Sequence, residues 1–161
     1  MAAREFSLAF ETTPPAAVRP ALPFTIPVVI AVRPIGTPTN VQHLVVNASL
    51  RDEAGTGPAL GLNGSLTASV ISRAGTPTSG YAKFPSLAIS RPGKYRLRVM
   101  LSAASVNGVV TKEFVDSGVI HVHAAAPAAQ RPTPTQVVTL QRLTVENLGI
   151  STADITKWKS A

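Results

Sequence analysis

The sequence predicts a mainly β protein: an antiparallel β-sandwich with one amphipathic helix near its C-terminus. Three observations predict it. Short runs of alternating or β-branched apolar residues recur through the first 123 positions. Clusters of proline and glycine separate them, drawn from 14 Pro and 11 Gly. After Thr133 the apolar period changes from that of a strand to that of a helix. Its 161 residues are read as one domain. Sandwich strands occupy 1–123, an Ala/Pro linker 124–133, a helix 134–149 and a tail 150–161.

Phe6, Leu8 and Phe10 alternate and predict a first strand over 5–11. Prolines 14, 15, 20 and 23 then make 12–23 an extended arm. Residues 24–32 are apolar and β-branched, a buried or half-buried strand. Arg33-Pro34-Ile35-Gly36-Thr37-Pro38 ends it as a turn-rich connection. A strand follows over 41–50, a glycine-rich loop over 51–64 closed by the turn pair Asn63-Gly64, a strand over 66–71 and a second loop over 75–80.

The stretch from Gly80 to Leu101 carries the strongest pattern. Phe84, Leu87 and Ile89 supply one strand, and Arg91-Pro92-Gly93 breaks it at a tight corner. Then Tyr95, Leu97, Val99 and Leu101 alternate with Lys94, Arg96, Arg98 and Met100. Such alternation buries one face and wets the other. Strands at 109–114 and 119–122 follow, parted by Asp116-Ser117-Gly118. Thr133-Pro134-Thr135-Gln136 fits a capping box with proline at the first helical position; Val137, Leu140, Leu143, Thr144 and Leu148 share a stripe, and Gly149 is a natural stop. This helix would cover a sheet face or join a dimer interface. Residues 151–159 are compatible with a short helix capped by Ser151 and Asp154, or with a closing strand.

Net charge is +7 at pH 7, with 15 Lys+Arg against 8 Asp+Glu. That balance suits a polyanionic partner. Without cysteine there are no disulfides and no thiolate metal site. The first residues show no signal-peptide core, no stretch is long and apolar enough to span a bilayer, and no membrane partner is expected. On that footing the sequons at Asn47 and Asn63 read as chance matches.

The eight carboxylates fall in no acid–base motif, and no nucleophile elbow, zinc helix or phosphate loop is present. The expectation is a protein that is not an enzyme, with no catalytic residue and no cofactor. His121 and His123 would share a strand face and, with His43, could reach a metal. No carboxylate or cysteine completes the usual set, so an edge pair is the expected reading and no metal is predicted.

The wet face carries Lys94, Arg96 and Arg98 in a row. Alternate strand residues lie roughly 6.5 to 7 Å apart, comparable to the repeat of phosphates along a nucleic-acid strand. Three cations could each meet a phosphate, or could simply be a solvated sheet face. Arg33, Arg51, Arg73, Lys83, Arg91 and Lys112, in or near loops, could extend a basic surface. With aromatic residues at 5%, stacking on single-stranded bases is not expected.

Four stretches together resemble a known family. FPSLAISRPGKYRLRVML is similar to the velvet-domain pattern F-P-x-L-x-V, a turn, then G-x-Y-R-L-R-F. Residues 33–42 look like that family's R-P-[IV]-D-P-P-P-[IV]-V-Q segment. FSLAFETTPPAAVRP resembles its first strand and following turn, and TPTQVVTLQRLTVENLGI its closing helix. Their order is kept over most of the chain. The resemblance implies a fungal regulator with an immunoglobulin-like sandwich similar to Rel-type factors, found in nucleus and cytoplasm. It further implies binding to double-stranded DNA, homo- or heterodimerisation with another velvet-type protein, and control of sporulation and secondary metabolism. On this reading Arg33, Lys94, Arg96 and Arg98 are the DNA contacts. The family's cations cluster just before R-P-[IV]; here that stretch is PALPFTIPVVIAV, flanked by Arg19 and Arg33. This departure motivates the alternative of an immunoglobulin-like dimerisation module that does not bind DNA. An adhesion or carbohydrate-binding module of similar fold is the third reading.

Overall fold

A computed structural model describes residues 6–34, 43–73, 76–105, 108–146 and 148–160. Among these described residues twelve strands and two helices follow in order: β1 (Phe6–Thr12), β2 (Ala17–Val18), β3 (Val28–Pro34), β4 (His43–Asp52), β5 (Leu62–Gly64), β6 (Thr67–Ser69), β7 (Ile71–Arg73), β8 (Thr76–Phe84), β9 (Leu87–Ile89), β10 (Gly93–Ser105), β11 (Gly108–Asp116), β12 (Ile120–Val122), α1 (Pro134–Leu143) and α2 (Thr152–Lys159).

One sheet runs β1-β3-β8-β7; the other runs β2-β12-β10-β4-β6, with β11 also on β10. β5 and β9 form a small third sheet. Every pairing is antiparallel except β2 on β12. β4 lies along one side of β10 while β11 and β12 share the other, so these two are halves of one strand interrupted at residues 117–119. The places are those of a variable-type immunoglobulin sandwich: A, B, E and D in the first sheet, G, F, C and C′ in the second. The first strand is split between them, β1 on β3 and β2 on β12.

Val28, Ile30, Val32, Phe84, Val46, Leu50, Leu97, Val99, Leu101 and Ile120 close the core between the sheets, each 3% exposed or less. Tyr95 is the third residue of β10, and its hydroxyl lies 3.1 Å from the carbonyls of both Arg91 and Pro92. This is the tyrosine corner of such folds. The Cβ of any residue replacing Gly93 would meet that hydroxyl at 2.9 Å. Two positions later, where a disulfide cysteine would stand in an antibody domain, the chain has the fully buried Leu97.

The helices pack on the outer face of the first sheet. Val29, Ala31 and Tyr81 meet Leu140, Leu143, Leu148, Ile150 and Ile155 in a second apolar cluster, with Val137 and Trp158 at its margin. β3 is therefore buried on both faces, which explains its unbroken apolar run.

The structure corrects several sequence-based boundaries. The third strand begins at Val28, after Pro27, rather than at residue 24. Where a loop is expected over 75–80, residues 76–80 are strand: β8 starts at Thr76, and Pro77 is tolerated because the register jumps from Ser72–Gly80 to Arg73–Thr76, placing 77–79 in a bulge; residue 75 lies outside the described residues. The strand expected through Phe84 and Ile89 is two, broken at Pro85-Ser86. The run over 66–71 divides at Val70, where the chain crosses from the second sheet to the first. Asn63-Gly64 belongs to β5; a Cβ on Gly64 would sit 2.0 Å from the Ser86 carbonyl oxygen.

Both capping boxes are formed, Thr133 with Gln136 and Ser151 with Asp154. The first helix ends at Leu143 with Thr144 as its cap, and Gly149 (φ +73°) turns the chain toward α2 instead of stopping α1. The tail is a second helix. Residues 124–133 hold no helix or strand, yet they are pinned to the body: the Arg19 Nε donates to the Ala126 carbonyl at 2.7 Å, and the Gln130 N–H to the Thr25 hydroxyl at 3.0 Å. Among the described residues no helix is long and apolar enough to cross a membrane.

Candidate functional site

Among the described residues the outer face of the second sheet, unlike that of the first, has no helix upon it. Alternation along β10 turns Leu97, Val99 and Leu101 inward, so Lys94, Arg96, Arg98 and Met100 face outward. Register then assigns their neighbours, because directly opposite residues share a face. His121 stands opposite Lys94; Arg51 opposite Arg96; Ser49 and Asp116 flank Arg98; Asn47 and Phe114 flank Met100. The face thus grades from a cationic end through an ion pair to a neutral, partly apolar end.

The ion pair is bidentate. Arg98 donates from Nε to Asp116 Oδ1 at 2.7 Å and from Nη2 to Oδ2 at 2.9 Å, and its guanidinium lies 4.2 Å from the centre of the Phe114 ring. The two side chains are 17% and 25% exposed. Each holds the other charged. Hydrogen bonding from Arg98 keeps the Asp116 carboxyl below the usual carboxylate range, helped by the charges of Arg98, Arg51 and Arg96, and Asp116 raises the Arg98 guanidinium in turn.

Arg96 is held by backbone instead. Its Nε donates to the Glu53 carbonyl at 2.7 Å and its Nη1 to the Ser117 carbonyl at 3.0 Å. It braces the β4–β5 turn against the interruption between β11 and β12. That interruption is sealed by Ser117, whose N–H donates to the Leu97 carbonyl and whose hydroxyl accepts from the Leu97 N–H. The neighbouring turn closes on Asp52, whose carboxylate accepts from the Thr56 N–H at 2.9 Å; this bond lowers its pKa.

Of the four residues expected to contact an anion, three share this face and one does not. Lys94 is exposed at the cationic end, while Arg96 and Arg98 already have partners. Arg33 follows Val29 and Ala31 onto the helix side of the first sheet, near Glu11, which it approaches to 3.8 Å and which also accepts from Arg142 at 3.2 Å. The four do not form one surface. Sequence reasoning placed Arg51 in a loop; it lies in β4, opposite Arg96, and its buried Nε has no hydrogen-bond partner among the described residues. Only knowledge of the β4–β10 register would have found it. Lys83 and Lys112 also lie in strands, β8 and β11. The side chain of Arg73 and most of the 33–42 segment lie outside the described residues.

The rings of His121, in β12, and His123, just past its end, are 4.2 Å apart. The side chain of His43 lies outside the described residues, and among the described ones no group of three ligating side chains comes together.

No protein-family model and no curated protein matches the chain. Among solved structures it is similar to AggA, the major subunit of aggregative adherence fimbriae type I from Escherichia coli, at 15% identity and a TM-score of 0.30. The alignment covers 75% of this chain and 97% of that one. No functional statement follows from a likeness at that level.

Proposed function

We propose that this chain is a velvet-like regulator, a DNA-binding and dimerising β-sandwich acting in nucleus and cytoplasm on development and secondary metabolism. The observation that supports this best is positional. The stretch closest to the velvet pattern, FPSLAISRPGKYRLRVML, supplies the end of β8, all of β9, the tyrosine corner and the first half of β10. The helix-like stretch supplies α1. The resemblance therefore falls on the elements that define the fold and its open face. Phosphate contacts from that face would position the protein on duplex DNA without reading sequence. An electrophoretic shift with duplex DNA at two salt concentrations tests this: binding that strengthens as salt falls supports it, and none at low salt removes the DNA half.

The Arg98–Asp116 pair and the placement of Arg33 on the opposite side favour a second reading, a dimerisation module with no DNA contact. Light scattering after size exclusion, alone and with another velvet-type protein, separates the two. A dimer that leaves DNA unshifted selects the second.

A further inference from the structure

The register of the second sheet redraws the basic surface. Lys94 and Arg96 are joined not by Arg98, which Asp116 neutralises, but by Arg51 across β4 and by His121 across β12. We propose that Arg51, Lys94 and Arg96, with His121 beside them, form the contact site for the phosphodiester backbone at the cationic end of this face. The inference rests on the DNA-binding reading and names the site through which it would act.

Three observations carry it. First, Arg51 and Arg96 are directly opposed like charges, a destabilising arrangement, and the Asp116 carboxylate whose field both feel is itself tied up in the bidentate pair with Arg98. Arg96 is held in place by two backbone carbonyls, and the Arg51 Nε has no partner among the described residues. An oxyanion lying across the two guanidinium groups would relieve that contact. Second, the nearby acids already have hydrogen-bond partners: Asp116 is held by Arg98, and Asp52 by the Thr56 N–H and hydroxyl. Third, Lys94 and Arg96 are alternate strand residues, roughly 6.5 to 7 Å apart, while their cross-strand neighbours are about 5 Å away. The resulting patch can meet two successive phosphates of one strand.

His121 borders this patch: Lys94 faces it across β10, the His123 ring lies 4.2 Å from its own, and β2 presents Ala17 opposite it.

The test is fluorescence anisotropy of a labelled duplex of arbitrary sequence between about 50 and about 200 mM salt. Arg51→Ala and Lys94→Ala are each expected to weaken binding several-fold for unrelated sequences and to reduce the salt slope by about 1. Arg51→Lys should keep the slope, which separates lost charge from lost fold. Lys157→Ala, on the exposed face of α2, should leave binding unchanged. Absence of wild-type binding at low salt would overturn both this inference and the DNA-binding reading. Wild-type binding left unaltered by Arg51→Ala and Lys94→Ala would overturn the inference alone.

Discussion

β3 and β10 are interior strands of the two sheets, and they are built to different rules. β3 is apolar at every position from Val28 to Val32, none more than 3% exposed, because one face meets the opposite sheet and the other meets α1 and α2. β10 buries Leu97, Val99 and Leu101 completely and turns arginine, lysine and methionine outward. The difference shows where the chain has closed a surface and where it has left one open. A continuous apolar strand in an antiparallel sandwich announces a third layer, and a strictly alternating one announces a free face.

Breaking the comparison should give the largest effect. The same polar residue placed outward on each strand should behave oppositely. Val29→Gln buries an amide under the helices and should cost about 3 kcal/mol or more, whereas Met100→Gln on the open face should cost about 1 kcal/mol or less. Chemical denaturation of the two variants checks this.

Next in size is the ion pair that divides the open face. Asp116→Ala leaves the largely buried Arg98 without its carboxylate partner, with the longer bond to the Gly55 carbonyl remaining, and should lower stability by about 1–3 kcal/mol. The pair also predicts a pH dependence. Because the carboxyl of Asp116 is held below its unfolded value, its contribution is complete above about pH 4 and is lost as pH falls through the folded value. Thermal unfolding below pH 4 should therefore fall more steeply for the wild type than for Asp116→Asn.

Smaller effects sharpen the contrast between local and distant determinants. Tyr95→Phe removes the hydroxyl that closes the corner before β10 and should cost about 1 kcal/mol by denaturant titration. Thr133→Ala removes the cap of α1 and should cost about 1 kcal/mol in the same measurement, without altering the open face.

These residues also show what was legible beforehand. The alternation from Tyr95 to Leu101 and the capping box at Thr133 are carried by near neighbours in the chain, and each can be read from the chain alone. The tyrosine hydroxyl reaches back only three and four residues. What escaped reading depends on partners far along the chain. Arg98 and Asp116 are 18 residues apart, and nothing in either local sequence announces their bond. Arg51 acquires its place from a register with β10 that the pattern over 41–50 does not determine. The proline-bearing start of β8 reads as a loop in the sequence because only its pairing with β7 shows that a bulge absorbs residues 77–79. For 151–159 the helical alternative prevailed once Ile155 found the cluster under α1. The cations were correctly placed on a wet face, yet which of them are free to meet a ligand is a property of the assembled sheet.

The most direct test of this division is a titration of the isotopically labelled protein with duplex DNA, followed by amide chemical shifts. The account predicts that perturbations centre on Arg51, Lys94, Arg96 and His121, with the surfaces of α1 and α2 silent. Perturbations confined to the helices, or to the region of Arg33, Glu11 and Arg142, would contradict it.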